Sequence, residues 1–141
     1  MILIDTHVHI YDCFDLNFFF MSAFKNFYTI AAKHNFFKNL TGVLLLAESS
    51  KNNWFDFFFR NGLPYPFMHT NSKSTWSIQH THESFSLQIR LNKKYSLFII
   101  AGRQIVTSED IEVLSLLSNK KFDDGRPLEK VLLDIKESNA L

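Results

Sequence analysis

The chain has 141 residues, 46% hydrophobic and 21% charged, which is one domain's worth of sequence with enough apolar side chains for a core. Fifteen basic residues against fourteen acidic ones leave a net charge of +1, which argues against charge-driven binding to nucleic acid or an anionic membrane. The single cysteine, Cys13, excludes an internal disulfide and a cysteine-rich zinc module.

The N-terminus has no basic segment ahead of its apolar residues, and no apolar run reaches about 18 residues, so neither a signal peptide nor a spanning helix is expected. A cytoplasmic location is the resulting expectation. Sixteen residues are Phe, and those rings must be buried or paired with something.

Residues 2–10 alternate like a strand. Ile2, Ile4, Val8 and Ile10 share one face; Leu3, Asp5, His7 and His9 share the other. Residues 16–37 read as a helix with a narrow polar stripe of Ser22, Lys25, Asn26, Thr29 and Lys33. TGVLLLAES (41–49), after an Asn39-Leu40 turn, is apolar on both faces, which suits a strand covered on both sides. Residues 52–61 form a short helix that Gly62 and the prolines of GLPYP end.

Beyond this point the pattern turns antiparallel. Residues 74–79 carry Trp76 and Ile78 on one face, whereas 84–91 carry Phe85, Leu87, Ile89 and Leu91. The apolar phase switches from even to odd, so a turn is expected near residues 80–83. Asn92-Lys93-Lys94 is the next turn and 95–106 the next strand. Residues 107–118 admit two readings: a capped helix from Thr107, or a TSED turn followed by a returning strand. The strand is preferred. A last helix opens after DGRP (124–127), with Leu128, Val131, Leu132 and Ile135 on one face.

The chemistry concentrates at the end of the first strand. His7 and His9 are two residues apart, so both imidazoles project to one side, where their nitrogens can share a divalent ion. Asp5 on the same face can orient a histidine through the ring nitrogen that a metal does not use. His80 and His82 repeat the spacing, but in a turn with no buried strand before it. Glu48 is either a third ligand or a solvated loop carboxylate. Arg103 is either a clamp for an anionic substrate or an ordinary strand-end charge. Cys13 reads as a small buried hydrophobe, and His34 and His69 as surface or capping residues.

IDTHVHIYD resembles the first motif of the PHP (polymerase and histidinol phosphatase) family and of the wider amidohydrolase-like metal hydrolases, which open a barrel with an apolar strand ending in D-x-H-x-H. LLLAES is similar to the family's second strand, IIAGRQIVTSEDIEVLSLL to its Gly-x-Glu strand and hairpin, and PLEKVLLDIKESNAL to its next helix. Three positions depart from the family: Gln104 stands where it has a glutamate, and Glu48-Ser49 where it has Asp-His.

The resemblance implies an α/β fold. The expectation is the first half of a distorted (β/α) barrel, with an antiparallel hairpin and meander at about 74–117, in a single domain over 1–141 that is truncated at its C-terminus. It also implies a metal-dependent hydrolase, with phosphoesters the favoured substrates, or an inactive remnant of one. His7, His9 and Glu48 would hold a Zn, Mn or Fe ion, with Asp5 and Arg103 completing the site around a small-molecule substrate, phosphorylated ones included. The alternative is a non-catalytic interaction module that associates through its Phe-rich apolar surface, with homo-oligomers as one outcome.

Overall fold

The computed structural model describes residues 1–36, 40–63, 76–91 and 95–141. Asn39, the prolines of GLPYP, His69, residues 74–75 and the turn at 92–94 lie outside the described residues.

The opening pattern folds as strand β1 (Ile2–Val8), helix α1 (Leu16–Lys33) and strand β2 (Thr41–Leu46). Asp15 starts α1: its Oδ1 accepts the Phe18 N–H at 2.9 Å, satisfying one of the helix's orphan donors. Helix α2 (Trp54–Asn61) ends at Gly62, whose φ of 71° lets its N–H return to the Phe58 carbonyl. Strands β3 (Trp76–His80), β4 (Ser86–Leu91) and β5 (Tyr95–Ile100) form the antiparallel meander.

These strands make one five-stranded mixed sheet in the order β1-β2-β5-β4-β3. β1, β2 and β5 pair in parallel, β4 pairs antiparallel with β5, and β3 pairs antiparallel with β4. The sheet is open, with β1 at one edge and β3 at the other, and this overturns the expected half-barrel. A barrel needs each parallel strand to be followed by the next around a closing ring. Here β5 returns to pair with β2, and the meander then extends the sheet sideways.

One face of the sheet carries the main core. Leu44, Leu46, Leu87, Ile89, Leu97 and Ile99 are buried against Phe20 and Phe27 of α1 and Phe55 and Phe58 of α2. Burying each of these rings stabilises the fold by about 1.5–3 kcal/mol. Phe20 sits between the two helices and the far strand, 6.1 Å from the Phe58 ring and 5.8 Å from Trp76. Gly42 makes room for Phe27, whose ring an added Cβ would meet at 2.6 Å.

The opposite face stays open. Ile2 and Ile4 are 67% and 54% exposed, and Val43, Leu45, Phe98 and Ile100 are only half-buried. Among the described residues, the two-sided burial expected of β2 is realised only in part: Leu44 and Leu46 are buried on one face, whereas Val43 and Leu45 are half-buried on the other.

Residues 102–116 form a separate hairpin of β6 (Gly102–Val106) and β7 (Glu112–Leu116), so residues 95–106 hold two strands rather than one. The strand reading of 107–118 holds. Thr107 closes the loop, its Oγ1 accepting the Ile111 N–H and its own N–H donating to the Ile111 carbonyl. Helix α3 (Leu128–Glu137) packs Val131 and Ile135 with Ile105 and Phe122 in a second small core. Leu132, expected on that buried face, is exposed.

Candidate metal centre

The first strand does not keep its alternation to the end. Asp5 pairs with Leu44 and Val8 with Leu46, so three steps along β1 match two along β2. This one-residue bulge re-aims the side chains that follow it. Asp5 and Val8, of opposite parity in sequence, now line the same cavity with Leu44. Val8 and Ile10 turn into the core, and His7 and His9 are left on the accessible side. The expected common face of Asp5, His7 and His9 is thus divided by the bulge, and Asp5 reaches the pair through a long contact, its Oδ1 accepting the His7 N–H at 3.4 Å.

The two histidines do converge. Their Nε2 atoms lie 2.9 Å apart, with ring centroids 4.8 Å apart and planes at 61°. In a neutral pair, one ring's N–H donates to the other's lone pair. The same geometry suits a shared ion: at metal–nitrogen distances of about 2.0–2.1 Å, two ligands are separated by about 2.9 Å at a right angle and about 3.3 Å at a tetrahedral one. His9 is further oriented by Tyr11, stacked on it at 5.8 Å, and Tyr11 meets Phe14 edge-on at 5.3 Å.

Glu48 and Arg103 form a different group. Both are buried, at 2% and 4% exposure, and their charged atoms lie 3.5 Å apart. Glu48 Oε1 also accepts the Phe55 N–H at 3.0 Å, so it caps α2 from outside the helix. Burial pushes the Glu48 carboxyl above its ordinary value, against the opposing pull of Arg103 and the Phe55 and Trp54 N–H groups. Arg103 also donates to the Asn52 carbonyl at 2.7 Å, to the Ser49 carbonyl at 3.5 Å and to the Asn53 side chain. The guanidinium therefore ties the 49–53 loop to β6.

Gly102 permits this join. A Cβ there would sit 2.2 Å from the Leu46 carbonyl oxygen, so only glycine lets β6 approach the end of β2 so closely. Backbone bonds from Glu48 N–H to Gly102 and from Gln104 N–H to Glu48 then fasten the two. The Gln104 amide donates to Glu112 at 2.7 Å across the hairpin.

The structure therefore brings His7 to His9 and Glu48 to Arg103, as two groups. Among the described residues, no three His, Cys, Asp or Glu side chains gather where they could hold a metal ion. An ion shared by His7 and His9 would find two protein ligands there and no third among the described residues. The His80 ring packs 4.3 Å from Phe59. Cys13 is exposed rather than buried, and it lines the cavity beside Asp5. Sequence reasoning missed Asp15 as the cap of α1, although a helix beginning immediately after an aspartate is a legible signal.

Comparison of the chain with protein-family models, with curated protein sequences and with solved structures finds no match. Among the described residues, no helix is long and apolar enough to cross a membrane.

Proposed function

We propose that the protein binds a divalent transition-metal ion through His7 and His9 and uses it in hydrolysis. The observation that carries this reading is the 2.9 Å approach of the two Nε2 atoms at the accessible end of β1. A divalent ion supplies Lewis acidity toward a scissile ester, amide or phosphoester and toward the attacking water. The chain's part is to hold two neutral imidazoles, stack His9 on Tyr11, and keep the neighbouring 49–53 loop fixed through Arg103. The resemblance of IDTHVHIYD to PHP-like hydrolases supports the same chemistry.

Elemental analysis of protein never exposed to chelator tests the binding. The expected result is about one ion per chain, lost in His7→Ala, together with metal-dependent turnover on a panel of ester, amide and phosphoester substrates. A metal-free protein that takes up no added zinc, manganese or iron would contradict it.

A second reading rests on the open sheet face. Ile2, Ile4, Val43, Leu45, Phe98 and Ile100 present an apolar surface next to a free edge strand, and such surfaces mark association sites. On this reading the chain is an interaction module.

A further inference from the structure

A cavity of about 420 Å³ lies between α1 and the sheet, within the size range of small-molecule sites. Val8, Leu44, Ala23 and the rings of Phe14, Phe18 and Phe19 make its lining mainly apolar. Among the described residues, its charged lining residues are Asp5 and Asp15, and no Lys, Arg or His lines it. Asp15 is committed to the Phe18 N–H, which also offsets the positive end of the α1 dipole. Among the described residues, Asp5 makes the long contact with the His7 N–H and is exposed.

The lining therefore selects ligand charge. An anion would meet carboxylates and ring faces with no cation to offset them. An ammonium group would meet a carboxylate and the negative faces of aromatic rings, both attractive. We propose that this cavity binds an arylalkylamine, its apolar body among the Phe rings and its ammonium at Asp5.

The cavity adjoins the histidine pair. Phe14 lines it and meets Tyr11, which stacks on His9, and Asp5 lies two residues before His7. As a substrate pocket, the cavity places an amine-bearing ester or amide beside the metal centre in preference to a phosphoester. That assignment rests on the proposed function; the binding itself does not.

The test is calorimetric titration of the full chain, in chelator, with phenylbutylamine and with phenylbutyrate, its near-isosteric anion. The amine is expected to bind about ten-fold tighter than the anion, a difference of about 1.4 kcal/mol. Asp5→Asn is expected to remove that preference. Asn26→Trp, at an exposed helix position on the cavity's lining, is expected to weaken the amine by a similar factor without disturbing the core. Equal affinity for the two probes, no binding of either, or amine binding that survives in Asn26→Trp would overturn the proposal. Because no metal is present, failure of the histidine pair to hold an ion does not alter these outcomes.

Discussion

The Glu48 carboxylate lies 3.5 Å from the Arg103 guanidinium, both side chains are buried, and 55 positions of sequence separate them. The pair joins the end of β2, the start of α2 and strand β6 at one point. Removing one member leaves an uncompensated buried charge. Arg103→Ala and Glu48→Ala are each expected to cost about 3–5 kcal/mol in urea denaturation, and the double variant less than their sum. Additive losses would show that the two charges act independently.

The same carboxylate gives stability a pH dependence. Its folded pKa is raised above the unfolded value by burial, so the folded state binds more proton between the two. Glu48's contribution is therefore greatest below its unfolded pKa and declines as pH rises from about 4.5 to the raised folded value. Wild-type stability measured relative to Glu48→Gln should fall across that window and be flat on either side. A rise with pH would mean that Arg103 outweighs desolvation.

Gly102 is expected to accept no side chain. The Cβ of Gly102→Ala would press on the Leu46 carbonyl oxygen, a backbone atom that cannot rotate away. A loss of about 3 kcal/mol, the upper end of overpacking costs, is expected in thermal or urea melts. Gly125, with nothing within 4 Å of an added Cβ but a φ of 77°, provides a control that isolates backbone strain from this steric clash.

The open face of the sheet predicts self-association. Ile4 is exposed on the edge strand, and a lysine there would charge both the edge and the apolar patch. Ile4→Lys is expected to reduce concentration-dependent association in sedimentation while changing stability by no more than about 0.5 kcal/mol. Association that persists unchanged would locate it elsewhere.

Much of the element order was legible because alternation and its phase are local properties. The switch from even to odd apolar positions between Ile78 and Phe85 placed the turn between β3 and β4, and the preferred reading of TSED as a turn placed the loop before β7, where Thr107 closes that loop rather than capping a helix. The bulge between Asp5 and Val8 was not legible. An extra residue leaves the alternating pattern intact in sequence and appears only in the pairing with β2, so Asp5 and the histidines could not be separated beforehand. Sheet closure failed for a similar reason. The apolar faces of β2 show that it can be covered twice, but not that β5 returns beside it and leaves one face open. The approach of His7 to His9 followed from their spacing, whereas the pairing of Glu48 with Arg103 depends on tertiary contacts that no local pattern encodes.

The most direct test of the metal centre is histidine-ring nitrogen NMR during a zinc titration. The Nε2 resonances of His7 and His9 are expected to shift together and saturate at about one ion per chain, with those of His34, His80 and His82 unmoved. In His9→Ala the His7 response should weaken by ten-fold or more, since one imidazole loses its chelate partner. Independent titration of the two rings, or no response from either, would contradict the account.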